Sequence, residues 1–272
     1  MCIRDSTGTL QSRRPYNALY PDLGAIDEME TIGESSYNGL QISAIQRPWH
    51  GLSGRANYTF GHSHDTASEA RNTLIMDATN IGADWADSDF DVRHILSAGF
   101  SYDIPAFAHN RLGEGWQLNT IVTLESGRPF NIRTGTNVSG AGDNVDRAVQ
   151  VGDVFSDLTG SGLFPRYFTA SAFANPTAGT FSTLSRNAFH GPSFRTVDLS
   201  LFKTTRLTGT ASVQLRLEVF NIFNTINWAN PGATLSNSTT FGLLTNTRNG
   251  SNAPGIGAGE PRNAQLAVKF LF

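Results

Sequence analysis

His62-Ser63-His64-Asp65 sets two imidazoles at alternate positions, which is one face of an extended strand, with a carboxylate beside them. That spacing can hold Zn²⁺ or Cu²⁺. Only two or three ligands are local, however, and a rim hairpin of polar residues accounts for them equally well. Asp84, Asp87, Asp89 and Asp91 offer oxygens for Ca²⁺, but no glycine turn or distal Glu completes an EF-type loop, and a solvated loop is the simpler reading. Asp143, Asp146 and Asp153 fall in a later polar stretch and invite the same caution. Glu218 and Asp198 could pair for acid–base hydrolysis, yet Arg216 beside them points to a structural polar network. Ser161, in Thr159-Gly160-Ser161-Gly162, reads as flexible loop, since neither a Gly-x-Ser-x-Gly elbow nor a phosphate-cradling glycine loop is present. Asn221 and Asn224 are expected to bind backbone where a strand turns out of its ladder. Cys2 is given no function. The chain is therefore expected not to be an enzyme, with no catalytic residue, cofactor or metal assigned.

These residues need a scaffold, and a period of two supplies it. At the end of the chain Leu266, Val268, Phe270 and Phe272 alternate with Gln265, Ala267 and Lys269, giving one wholly apolar strand face. Over 37–47 Leu40, Ile42 and Ala44 oppose Gln41, Ser43 and Arg47, with Ile45 an exception. In 52–61 Leu52, Gly54, Ala56, Tyr58 and Phe60 oppose Ser53, Arg55, Asn57 and Thr59, a hairpin partner across the turn Pro48-Trp49-His50-Gly51. Similar alternation predicts strands over about 92–104, 115–132, 195–206 and 211–224, and a weak one over about 25–34. The connections near residues 50, 110 and 209 are short, while 62–89, 135–190 and 229–260 are long.

That asymmetry, with strands long enough to cross hydrocarbon, predicts an all-β antiparallel transmembrane barrel whose long loops share one rim. Arg55, Asp103, Glu125, Arg216, Glu218 and Lys269 all fall on the polar face. A Lys or Arg on the lipid side at mid-bilayer costs about 2–4 kcal/mol, whereas a watery lumen accepts it. Tyr37, Trp49, Tyr58, Tyr102, Trp116 and Trp228 sit where interfacial aromatic girdles belong. A soluble amphipathic sheet, for instance a secreted β-sandwich that binds carbohydrate, would also alternate, but would bury the apolar face under a second protein layer. No run nears 18 apolar residues, so a transmembrane helix is excluded. Among 272 residues 39% are hydrophobic, only 16% charged and 27 are glycine, the make-up of a barrel with a wet interior and long loops, and a net charge of −3 gives no case for nucleic acid. Residues 1–23 are irregular, and Met1 to Ser6 has no apolar core behind it, so a piece lacking its true start is expected.

Several motifs then match a family in order along about 13–272. They are Tyr37-Asn38-Gly39-Leu40-Gln41, Tyr58-Thr59-Phe60, Asp91-Val92-Arg93-His94 and Ser126-Gly127-Arg128-Pro129-Phe130. Further along come Ala172-Phe173-Ala174-Asn175-Pro176, Gly191-Pro192, Val197-Asp198-Leu199-Ser200-Leu201-Phe202-Lys203 and Glu218-Val219-Phe220-Asn221-Ile222-Phe223-Asn224. Together they resemble the C-terminal barrel of TonB-dependent outer-membrane receptors, in the Oar-like branch that carries a carboxypeptidase-regulatory-like domain. The final strand also resembles an outer-membrane assembly signal, with polar Gln265, small Ala267 where Gly is usual, then Phe270 and Phe272.

The resemblance implies a 22-strand barrel, of which residues 24–272 would be about eight strands. It also implies contact with outer-membrane lipid and the barrel-assembly machinery, TonB engaged through an N-terminal plug that has no counterpart here, and an oligosaccharide, peptide or metal chelate as ligand. The alternative is a structural or adhesive outer-membrane barrel that binds surfaces without transport. Open sheet edges would pair with other chains, so the isolated piece is expected to aggregate.

Overall fold

The computed structural model describes residues 9, 11–14, 16–23, 30–69, 75–142, 144–158, 163–248 and 261–272. Among the described residues twelve strands follow one another: β1 (Ser35–Trp49), β2 (Leu52–Asp65), β3 (Ala86–Asp87), β4 (His94–Ile104), β5 (Trp116–Glu125), β6 (Pro129–Phe130), β7 (Val149–Gln150), β8 (Phe173–Ala174), β9 (Phe189–His190), β10 (Phe194–Arg206), β11 (Ser212–Phe220) and β12 (Asn263–Leu271). The main sheet runs β1-β2-β4-β5-β10-β11-β12, with β3 added to β2, and all its pairs are antiparallel. Two small sheets, β6-β9 and β7-β8, lie in the long loops. Among the described residues β1 and β12 each pair on one side only, so the sheet is an open arc.

Register turns the alternation of single strands into two continuous faces. Residues directly opposite in an antiparallel pair project to the same side. Ile42 lies opposite Tyr58, Tyr58 opposite Leu96, and Leu96 opposite Leu124. At the other edge Leu201 lies opposite Leu217 and Leu217 opposite Leu266. On the reverse side Asp103 faces Gln117, Gln117 faces Phe202, Phe202 faces Arg216 and Arg216 faces Ala267. All six charges expected on the polar face share it. Its apolar residues include Ile45 and Ile121, both in the row that holds Arg55 and Asp198, and Phe202, Phe194 and Ile95 in other rows. Among the described residues no protein layer covers the apolar face: Leu215 is 52% exposed, Leu217 42% and Leu266 83%.

The turn between β1 and β2 spans His50 and Gly51, both at positive φ, the conformation that matches strand twist in a two-residue hairpin. Tyr37 corrects the girdle assignment. It lies on the polar face opposite Ser63, and its ring covers the glycine pair Gly39–Gly61, where any Cβ would collide with the phenol. Trp228 also leaves the girdle, because it lies in the third long loop and bridges Thr247. Trp49, Tyr102 and Trp116 do line the short-turn end of the apolar face, through the pairs Trp49–Leu52, Leu52–Tyr102 and Ile104–Trp116.

Three strand predictions need correction. Residues 30–34 carry no strand, and 24–29 lie outside the described residues. The run 115–132 breaks after Glu125: Ser126 N donates to His94 O, and Pro129-Phe130 joins β9 in a separate sheet. The run 211–224 stops at Phe220, since Asn221 and Asn224 adopt left-handed conformations. Asn221 then bonds both backbone groups of Thr225, and Asn224 Oδ1 accepts from Arg262 N, as Asn does when it ends a ladder.

The long loops hold the hydrophobic core. Phe130, Ile132, Ala148, Val154, Phe168, Ala172, Phe173 and Phe241 form one buried cluster drawn from the second and third loops. Phe168 is fully buried and meets Phe173 and Phe241 edge-on at 5.4 and 5.0 Å, an arrangement favoured by the ring quadrupoles. This cap leans on the polar face of the sheet. Arg248 Nη1 donates to Glu125 Oε2 at 2.6 Å and its guanidinium lies over Phe194. Asn221 N donates to Asp198 Oδ1.

Candidate functional site at the long-loop rim

β2 continues past the predicted strand end at 61, and its last residues divide between two environments. Ser63 and Asp65 turn inward and are buried, while His62 and His64 turn the other way and keep partial exposure. β3 pairs here, with Asp87 directly opposite His64. Asp87 thereby receives three imidazoles. Its Oδ1 lies 2.8 Å from His62 Nε2 and 3.2 Å from His64 Nε2, and its Oδ2 lies 3.2 Å from His190 Nε2. Arg93 stands 3.7 Å from the same carboxylate. Burial works to raise the Asp87 pKa, but the His62 hydrogen bond and the charges of His62, His190 and His64 outweigh it and hold the group below the usual carboxylate range. The ring of His64 stacks on Trp85.

Behind this cluster the aspartates are structural, which corrects their assignment to a solvated loop. Asp84 is buried and pairs with Arg147, which also donates to the carbonyls of Leu184 and Ala83. Arg186 pairs with Asp65 and Asp89 and donates to the carbonyls of Asp84 and Asp65. Two arginines of the second loop thus clamp the first. A buried ion pair of this kind is costly to break from one side, because it strands a charge away from water. A polar cleft of about 230 Å³ opens between these arms, lined by Met76, Asp84, Asp89, Arg133, Arg147 and Arg186 among others. Asp146 is buried and accepts from Ser139 N, and Asp153 closes a turn on Phe155 N. Asp143, Ser161 and Cys2 lie outside the described residues.

Along the sheet Glu218, Asp198 and Arg216 each make their own contacts. Glu218 accepts from Gln265, Asp198 from Asn221 N, and Arg216 donates to Gln214 while lying over Phe202. Among the assembly-signal residues, Gln265 and Ala267 stand on the polar face opposite Glu218 and Arg216, and Phe270 stands on the apolar face opposite Val213. Sequence reasoning missed Lys203, which lies on the apolar face opposite Trp116 and Leu215. Its ammonium reaches the carbonyls of Arg111 and Glu114 in the short turn and passes over Trp116. Two tight turns at that level were the available signal.

An open antiparallel sheet with one exposed aliphatic face, one ionic face and all long loops at one end leaves hydrocarbon as the medium for the first face. Residues 3–265 match the family described as outer membrane beta barrel domain. The chain belongs to this family. No curated protein and no solved structure gives a match. The outer-membrane barrel therefore lies in the envelope of a Gram-negative bacterium, with Leu40, Leu124, Leu217 and Leu266 in its lipid-facing belt.

Proposed function

We propose that this barrel segment belongs to a TonB-dependent outer-membrane receptor of the Oar-like branch, supplying wall, lumen lining and external ligand-binding loops for substrate uptake. The ordered motifs from Tyr37-Asn38-Gly39 to Glu218-Val219-Phe220-Asn221 favour that branch. The observation that carries the reading is the open arc: among the described residues both edge strands have free ladder groups, which in lipid need further strands to satisfy them. A larger barrel meets that need, and its plug would carry the TonB contact. The cap folded over the polar face, with its cleft among Asp84, Asp89 and Arg133, offers hydrogen-bonding groups to a polar solute arriving from outside. The Gln265–Phe272 strand would be read by the barrel-assembly machinery.

Deleting the gene and growing the strain on oligosaccharides, peptides or iron chelates as sole sources tests this. Loss of growth on one class, reproduced by deleting TonB, is the expected result. Unchanged growth with lost surface attachment overturns it in favour of an adhesive barrel.

A further inference from the structure

We propose that His62, His64 and Asp87 form a binding site for a divalent transition-metal ion, Zn²⁺ in the first place, on the outward side of the long-loop rim. One ring nitrogen of each histidine and a carboxylate oxygen of Asp87 lie within 4.8 Å of one another. A tetrahedral shell with Zn–N about 2.0–2.1 Å has donor separations of roughly 3.4 Å, so a modest rotation of half-exposed side chains closes the set. Both imidazoles approach the same oxygen of Asp87, with ring centroids only 3.8 Å apart. Two ring nitrogens converging on one carboxylate oxygen is also the donor set that a transition-metal cation takes.

The surroundings fit that assignment independently. His190, from a segment more than a hundred residues away, holds the other oxygen of Asp87, the carboxylate–histidine support that orients metal ligands. Asp91 is buried and anchored through Oδ1 to Ser63 N, yet its Oδ2 has no hydrogen-bond partner. Arg93 Nε forms an ion pair with that oxygen at 3.6 Å without a hydrogen bond. A carboxylate oxygen of Asp91 lies within 4.8 Å of Asp87 and His190 donors. Asp87 and Asp91 against Arg93 leave one net negative charge from these three side chains for the ion to meet. Imidazole donors favour Zn²⁺, Ni²⁺ or Cu²⁺ over Ca²⁺, which takes oxygens. Three protein ligands leave a fourth position for water or for a donor atom from outside.

The test is titration of the whole outer-membrane protein that contains this segment, purified in detergent from its membrane, with Co²⁺ followed by its d–d absorption and then displaced by Zn²⁺. One equivalent with absorption of tetrahedral intensity is expected. His62→Ala with His64→Ala should weaken binding at least 100-fold, and His190→Gln about tenfold, as loss of an orienting partner does. His109→Ala, remote from the cluster, should leave it unchanged. Retained strand circular dichroism and heat-modifiable migration exclude misfolding, and Asp87→Asn provides a second variant with the backbone pairing intact. Equal binding by wild type and the double variant, or a response to Ca²⁺ alone, overturns the site. Neither result touches the transport reading, which rests on growth and TonB.

Discussion

The sheet and the cap stabilise themselves by opposite means. In the sheet the apolar side chains point outward, and the charges that a soluble protein would expose line the other face. In the cap Phe168, Ile132 and Phe173 point inward, as in any water-soluble core. The cap therefore depends on excluding water and the sheet on excluding water only from one side, with lipid as the second solvent. The same residue type thus has opposite meanings in the two regions: Phe270 is exposed because it belongs to the belt, and Phe130 is buried because it opens the cap.

Removing the centre of the cap should show the largest effect. Phe168→Ala empties a fully buried site ringed by aromatics and is expected to destabilise the cap by about 3–5 kcal/mol, the usual range for a core Phe. Hydrogen exchange should report lost protection over 130–150 and 166–190 with β4, β5 and β10 unchanged. Simultaneous loss in the strands would mean that cap and sheet are one cooperative unit, and the comparison would break.

Next comes a charge placed on one face or the other. Leu217→Lys puts an ammonium among Leu201 and Leu266 and should cost about 2–4 kcal/mol in refolding into liposomes, as at mid-bilayer. Glu218→Lys, one residue on, turns to the polar side and loses only its contact with Gln265, so it should fold nearly as well as wild type. Equal penalties at the two positions would show that the sheet does not divide lipid from water.

The same division explains what could be read from the chain. Alternation is local, so Leu215, Arg216, Leu217 and Glu218 announce their faces from four consecutive letters. The cap has no such period. Phe130, Phe168 and Phe241 come from segments separated by dozens of residues and enter the core from irregular backbone, so nothing local marks them as buried. The rim cluster failed to show for the same reason. His62 and His64 are visible as a pair, but Asp87 joins them only through the ladder with β2, and His190 only through the fold of the second loop. Tyr37 misled because its residue type suggested the belt, whereas the alternation it shares with Gly39, Gln41 and Ser43 puts it on the polar face, over the glycine pair.

A smaller effect is expected where a strand leaves the ladder. Asn221 sits at φ 49° with its amide bonded to Thr225. Asn221→Ala loses those bonds and keeps the left-handed backbone, which disfavours a β-carbon by roughly 1–2 kcal/mol. Asn221→Gly restores the backbone freedom alone and should recover about half of the loss in a urea titration. No recovery would place the whole role in the side-chain bonds.

Lys203 sharpens the comparison further, because it is a charge on the lipid-facing side that the fold accepts. Its depth makes the difference. It stands beside the short turn, close enough for its ammonium to reach the carbonyls of Arg111 and Glu114, while its stem packs near Trp116. At that level the penalty for a charge falls to about 0–1 kcal/mol, so Lys203→Leu should change stability in liposome refolding by no more than about 1 kcal/mol. Leu217→Lys, on the same face but deeper, should cost several times as much. A loss at Lys203→Leu as large as at Leu217→Lys would make Lys203 a structural staple of the turn, and depth alone would no longer govern which charges the belt accepts.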